Sequence, residues 1–446
     1  MSITKTLRKY YWVSEAFTKR HYKTVLSATL CGTILLGLVV FLLQYIPTYK
    51  HATRIAKIGK YTTTSLPDNI LKKISVGLVT TNSSGAYEKG LAESWKIDND
   101  GKQYTFIINK NLSWHDGKSL EPSDIGYSFK EVTQSIKDNQ LIYTLQEPFS
   151  PFLSALTKPI LRNNKLGVGE YRIGNIEEYG GNIQKISLNS KTKQLIYKFY
   201  PTENSAITAF KLGEVDQIEN LSYIPKELKE EPQNIIAPFL EDQKIAVLFL
   251  NNNDSVLSSK PTRQALAYAI SDKSFGNKRA ISPVSSTSWA YNDSVKTYDF
   301  DQEKAKTLLK TDIQNPANLK IELKTMLQYL DIAEKIAENW NNTLGITVDV
   351  KVINGITNDY QVLLADYAPP LDPDQYSIWH STQSTNFTHY TNLKVDKLLE
   401  DGRRTLDSKL RIEIYQDFQR FLLEDSPAIF LFETNSSTVS RKPIFK

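Results

Sequence analysis

Short apolar runs alternate with amphipathic stretches along most of the chain beyond residue 66. Tyr104–Ile108 (YTFII), Leu195–Phe199 (LIYKF), Ile245–Leu250 (IAVLFL), Ile346–Val352 (ITVDVKV) and Ala428–Phe432 (AIFLF) are rich in β-branched and aromatic residues and predict strands. Between them, Ile332, Ile336, Trp340 and Leu344 recur every four residues, and Leu410, Ile414, Phe418, Phe421 and Leu422 form a second stripe. That spacing predicts helices with one face on a core. Two of the strand runs, IAVLFL and AIFLF, are apolar at every position, as strands covered on both faces are. A chain that leaves one lobe at the first and returns at the second makes a two-lobed α/β protein, and ligands bind between such lobes.

A different pattern precedes this. Thr24–Ile46 carries no charge, is flanked by basic residues, and ends beside Tyr45. Such a run is long enough to cross a bilayer. A cleaved signal peptide fits less well, because its apolar region would be shorter and followed by small residues. Leu30 stands before Cys31 where a lipoprotein site would carry a small residue. An uncleaved anchor is therefore expected over 24–46. Six Lys and Arg precede the run; Lys50, Arg54, Lys57 and Lys60 follow it. The asymmetry places residues 1–23 in the cytoplasm and the remainder outside the cell membrane. Residues 47–65, polar and Thr-rich, read as a tether.

Charge sharpens the picture. The chain of 446 residues has a formal net charge of +5. Six of its 54 Lys and Arg, but only Glu15 of its 49 acidic residues, fall in residues 1–23, so the rest is neutral. A neutral body has no electrostatic reason to bind nucleic acid. With 1 Cys and 5 His, neither a disulfide framework nor a Cys/His zinc site is expected. No nucleophile elbow or phosphate loop occurs; Gly167-Val168-Gly169 lacks the Lys-Ser/Thr continuation. The chain is not expected to be an enzyme, and no cofactor is implied.

From residue 90 an ordered series of motifs appears: LAESW (Leu91–Trp95), DGKQYTF (Asp100–Phe106), WHDG (Trp114–Gly117) and SDIGYSF (Ser123–Phe129). GVGEYRI (Gly167–Ile173), AFKLGEVDQIENL (Ala209–Leu221), the Leu250–Ser274 segment, YDFDQEKAKTLL (Tyr298–Leu309) and Ala365–Glu433 continue it. Over about residues 66–435 the series resembles the solute-binding proteins of peptide and nickel ABC transporters, the family 5 extracellular binding proteins. The resemblance implies a two-lobed periplasmic-binding-protein type II fold, with lobe 1 over 66–244, lobe 2 over 245–427 and a return to lobe 1 over 428–446. It also implies capture of a short peptide for an ABC permease served by a separate ATPase. The family's insertion between the YSF element, read as a helix start, and the strand near Leu141 is nearly gone, so the third subdomain is expected to be trimmed. A transmembrane helix replaces the family's usual cleaved signal or lipid anchor. Peptide, nickel-chelate and oligosaccharide binders share the pattern, which leaves the ligand open. A receptor or scaffold using the same domain is the alternative.

Candidate residues follow. The Asp of the family's ADY element, here Asp366, pairs with a peptide's α-amino group in relatives, and a carboxylate at a strand end suits an ammonium. Trp379, Asn386 and Tyr390 match the segment lining the relatives' cleft, and Tyr127 of the YSF element is a further candidate. Each of these also reads as packing or loop structure. Trp95 and Trp114 read as core. His115 and Asp116 lie in a turn rather than a catalytic pair. His380 and His389 are too few for a metal site.

Overall fold

The computed structural model describes residues 3–45, 51–82, 85–353, 355 and 357–442. The chain divides into two units, Met1–His51 and Ala52–Lys446. In the first, the helices Ile3–Arg20 and Tyr22–Tyr45 are separated only by a turn at His21. The second helix bonds three of its hydroxyls to its own backbone. Ser27 Oγ donates to the Thr24 carbonyl (3.0 Å), Thr29 Oγ1 to that of Val25 (2.8 Å) and Thr33 Oγ1 to that of Leu30 (2.9 Å). Among the described residues no helix is long and apolar enough to cross a membrane. The expected span ends at Ile46, and it and residues 47–50 lie outside the described residues.

The second unit is built on a 10-stranded sheet. Its order is Thr347–Ile353, Lys320–Met326, Val362–Tyr367, Asn234–Leu250, Ala428–Arg441, Gln217–Leu221, His51–Ile58, Lys193–Tyr200, Asn182–Asn189 and Arg172–Tyr179. Two long antiparallel strands, Asn234–Leu250 and Ala428–Arg441, cross from one half of the sheet to the other. Their register shifts between Phe239 and Lys244, where the chain passes between halves. The apolar run at Ile245–Leu250 is explained by burial on both sides. Ala246, Leu248 and Leu250 pack with Trp340 and Ile336 in one cluster; Ile245, Val247 and Phe249 pack with Phe418 and Leu422 in another.

Both helical stripes cover this half. The helix Leu330–Leu344 buries Ile336, Trp340 and Leu344 and ends at Gly345, whose φ of 71° favours a residue without a side chain. The helix Ser408–Asp425 starts from Asp407, which accepts the Leu410 amide, and buries Phe418 and Leu422. Leu410 departs from its expected place: it lies in the first turn and is 50% exposed.

Three expectations need correction. Residues 51–65 are not a tether throughout, because His51–Ile58 is a strand parallel to Gln217–Leu221. Ile55 and Ala56 are buried there, and Arg54 grips Asp216 with its backbone amide (2.9 Å), Nε (3.0 Å) and Nη2 (2.6 Å). Arg54 and Lys57, which look like tether polarity, are paired with Asp216 and Glu219. Second, the return strand does not belong wholly to lobe 1. Ala428–Glu433 pairs with Ile245–Phe249, and only Ser436–Arg441 pairs with Asn234–Phe239 in the other half. Third, the YSF element starts no helix. Glu131 at φ 62° turns the chain into the strand Val132–Lys137, and the turn Asp138-Asn139 (φ 49° and 62°) returns it to Gln140–Leu145. A two-residue turn with positive φ at both positions suits a tight hairpin. This hairpin edges a separate 4-stranded sheet, Ala92–Asp98, Gln103–Ile108, Gln140–Leu145 and Val132–Lys137, with its own core around Tyr104, Phe106, Trp114 and Tyr143.

Candidate ligand-binding site

Parallel strands point one end of an α/β sheet at a crevice, and ligands bind beyond their carboxyl ends. Lys320–Met326 runs parallel to both Thr347–Ile353 and Val362–Tyr367. Asp366 stands at the carboxyl end of the last of these, opposite Ala246 of the crossing strand. Alternation along the strand sends Leu363, Ala365 and Tyr367 into one core cluster and Val362 and Leu364 into the other. Asp366 shares the side of Leu364, where Tyr329 meets it. The Tyr329 hydroxyl donates to Asp366 Oδ1. Tyr329 closes the 3-10 turn Leu327–Tyr329 that follows Lys320–Met326, so the ends of two neighbouring strands supply the pair. Burial, then the negative charge of Asp366, raises the Tyr329 pKa far above the ordinary phenol value. The phenol keeps its proton and remains a donor. Asp366 is only partly buried, and a carboxylate has further lone pairs to offer.

A cavity of ≈ 330 Å³ adjoins this strand end and includes Asp366 in its lining. Phe249, Leu363, Ile378 and Phe387 make it largely apolar. The Thr385 hydroxyl at its edge already donates to the Ser377 carbonyl. By strand alternation, the carboxylate and the apolar floor lie on opposite sides of Val362–Tyr367.

The other expected residues are not gathered at this point. Trp379 is 1% exposed, and its Nε1 donates to Gln375 Oε1 (2.9 Å) within the core. Asn386 is 3% exposed; its Nδ2 donates to the Tyr390 carbonyl (2.9 Å), and its Oδ1 accepts from Thr388 (2.9 Å). The Tyr390 hydroxyl donates to Asp425 Oδ2 (2.7 Å), which also accepts from Asn392 Nδ2 (2.8 Å). The Tyr127 hydroxyl lies against the Leu156 and Lys158 carbonyls (2.9 and 2.7 Å) and the Leu78 amide (3.2 Å). These four side chains are spent on internal bonds.

The WHDG box is structural too. Gly167 N donates to His115 Nδ1 (3.2 Å), and His115 Nε2 lies 2.9 Å from the Gly169 carbonyl, which assigns the proton to Nε2. Trp114 Nε1 donates to Asp124 (2.7 Å) and is in the core. The GVG segment thus docks on the box, and at Gly167 a Cβ would come within 1.9 Å of the Ile74 carbonyl oxygen. His380 Nδ1 lies 2.9 Å from Thr382 Oγ1, and no cluster of metal-ligating side chains occurs among the described residues.

Sequence reasoning missed two groups. Tyr329 has no motif to mark it. The second is a polar joint between the 4-stranded sheet region and the half carrying Asp366. Arg411 binds both oxygens of Asp372 (2.9 and 2.5 Å), and Tyr87 adds its hydroxyl (3.2 Å). Nearby, Ser150 donates its amide to the Arg403 carbonyl (2.7 Å) and its hydroxyl to that of Gly402 (2.9 Å).

Comparison with known proteins decides the family. The model of the bacterial extracellular solute-binding proteins, family 5 middle region, matches residues 86–146 and 177–389. The chain is a family 5 extracellular solute-binding protein. Among curated relatives it is 22% identical to the probable D,D-dipeptide-binding periplasmic protein DdpA of Escherichia coli, covering 80% of this chain and 81% of that protein. It is also 22% identical to the oligopeptide-binding protein AppA of Bacillus subtilis, over 84% and 83% of the two chains. The fold matches the crystal structure of NikZ from Campylobacter jejuni in complex with Ni(L-His), with a TM-score of 0.73, 22% identity and coverage of 88% and 94%. It likewise matches Bacillus subtilis AppA in complex with a nonapeptide, with a TM-score of 0.69, 20% identity and coverage of 89% and 95%. These relatives are binding proteins of transporters, not enzymes.

Proposed function

We propose that this family 5 protein captures a short peptide between the two halves of its sheet and delivers it to an ABC permease with a separate ATPase. The observation carrying the reading is the partly buried Asp366 carboxylate at a strand's carboxyl end, held by one neutral donor. A peptide ammonium would fill its remaining acceptor sites. The names of relatives that bind dipeptides and oligopeptides support a peptide over other ligands.

The reading includes a single membrane anchor over Thr24–Ile46, with residues 1–23 cytoplasmic and the binding unit outside. It reaches beyond the described residues. Its support is the uncharged run together with the 24-residue helix Tyr22–Tyr45, about 36 Å long at ~1.5 Å per residue. The internal hydroxyl bonds of Ser27, Thr29 and Thr33 suit an apolar medium, where unpaired polar groups are costly. Anchoring holds the binding unit near its permease and raises effective concentration without new contacts.

The test is thermal melting of the full-length chain in detergent against di- to pentapeptides, nickel–histidine and oligosaccharides. A ligand at 100 times its Kd stabilises by ~2.7 kcal/mol. A rise with peptides that Asp366→Asn sharply reduces is the expected result. A rise only with the nickel chelate or a sugar would replace the peptide reading. No rise with any ligand, on folded protein, would move the function to a receptor or scaffold.

A further inference from the structure

We propose that the helix Ile3–Arg20 lies flat on a bilayer surface rich in anionic phospholipid, an in-plane helix leading into the anchor. The proposal rests on the anchoring reading above and adds what the preceding helix does.

The helix carries two chemistries on two sides. At ~100° per residue, Tyr10, Val13 and Phe17 fall within about 60° of one another, and the basic Arg8 and Lys19 fall within about 20° on the opposite side, with Trp12 beside them. Tyr10 is 71% exposed, Val13 59% and Phe17 59%, so the adjoining helix Tyr22–Tyr45 leaves the apolar side open. Glu15, the sole acid, is already engaged by Lys19 at 2.7 Å, which leaves the helix cationic. Arg20 at its end and Lys23 in the first turn of the next helix continue the charge.

Two observations choose a lipid surface over a protein partner. The first is continuity: only His21 separates this helix from the apolar Tyr22–Tyr45, so its end is fixed at the bilayer interface once that helix inserts. The turn at His21 supplies a place to change direction. The second is charge. The whole net charge of +5 resides in residues 1–23 and the rest of the chain is neutral. A helix with an aromatic side and a basic side partitions into the headgroup region, and anionic lipid strengthens it through each Lys and Arg.

The experiment uses the full-length chain in liposomes of phosphatidylcholine with and without phosphatidylglycerol. Cys31→Ser removes the only cysteine. Spin labels are then placed singly through V13C, F17C, K19C and L35C, and collision with oxygen is compared with collision with a water-soluble nickel chelate. With phosphatidylglycerol, labels at 13 and 17 should be severalfold less accessible to the chelate than the label at 19. The contrast should weaken without phosphatidylglycerol, or in an R8Q/K19Q/R20Q background. Labels at 13 and 17 as accessible as that at 19, with the label at 35 shielded in the bilayer, would overturn this inference and leave the anchor standing. An accessible label at 35 would overturn both. Shielding at 13 and 17 that ignores lipid charge would overturn the anionic recognition.

Discussion

Asp366, near the end of a strand, and Asp372, in the connection that follows it, have opposite fates. Asp372 is 6% exposed, and Arg411 fills both of its oxygens. Tyr87 reaches it from the region of the smaller sheet, so this carboxylate is a joint between parts of the fold. Arg411 also spans the rings of Trp289 and Tyr415, each 5.3 Å away. Asp366 is partly exposed and holds one neutral phenol. A guanidinium fork saturates a carboxylate; a single phenol leaves room for a cation. The difference separates a residue the fold consumes from one it leaves available.

The sharpest way to break the comparison is to remove the guanidinium. Burial works against the Arg411 charge, but the hydrogen bonds to Asp372 outweigh it and raise its pKa. Arg411→Met strands a buried carboxylate and should cost about 3–5 kcal/mol in urea unfolding. A loss below ~1 kcal/mol would show that Asp372 is not a joint. Asp366→Asn should behave in the reverse sense. Folding stability should stay within ~1 kcal/mol, while peptide affinity, read by calorimetry, falls roughly 10- to 100-fold, the worth of a charge-assisted hydrogen bond. Tyr390→Phe belongs with the Asp372 class. It removes one donor from Asp425, so a loss of about 1–2 kcal/mol is expected with ligand affinity unchanged.

The sequence made the scaffold legible where burial leaves a local signature. Ile245–Leu250 reads as a doubly covered strand because both sides of that strand meet core. Ile336, Trp340 and Leu344 read as one helix face for the same reason. The strand His51–Ile58 was not legible, because the partners that neutralise it, Asp216 and Glu219, come from a distant part of the chain. Lys57, 4% exposed and 3.7 Å from Glu219, looks like any surface lysine in sequence. The site shows the same limit. Trp379, Asn386 and Tyr390 have the right chemistry for a cleft, but Gln375, Thr388 and Asp425 consume it. Resemblance pointed to the segment; the geometry adds that Trp379, Asn386 and Tyr390 are engaged internally, while Asp366 holds one phenol. Tyr329 follows a strand with no motif around it, so nothing local marked it.

The smallest effect concerns acid. Burial pushes the Asp425 pKa up, but the donors Tyr390, Lys260 and Asn392 together hold it below the ordinary carboxylate value. A depressed carboxylate contributes stability that is fully present above its unfolded pKa, about 4 for aspartate, and is lost as pH falls through the lower folded value. Tyr390→Phe weakens that depression. The destabilisation by Tyr390→Phe should therefore be larger at pH 7 than at pH 3, by less than ~1 kcal/mol because Lys260 and Asn392 remain. Urea unfolding of both proteins at the two pH values measures it. A cost that is equal at pH 7 and pH 3 would mean that the Tyr390 hydroxyl does not sense the charge of Asp425. Were that equal cost also near zero, Tyr390 would owe its place to ring packing alone, and its hydroxyl would rejoin Asp366 among the groups free to meet a ligand.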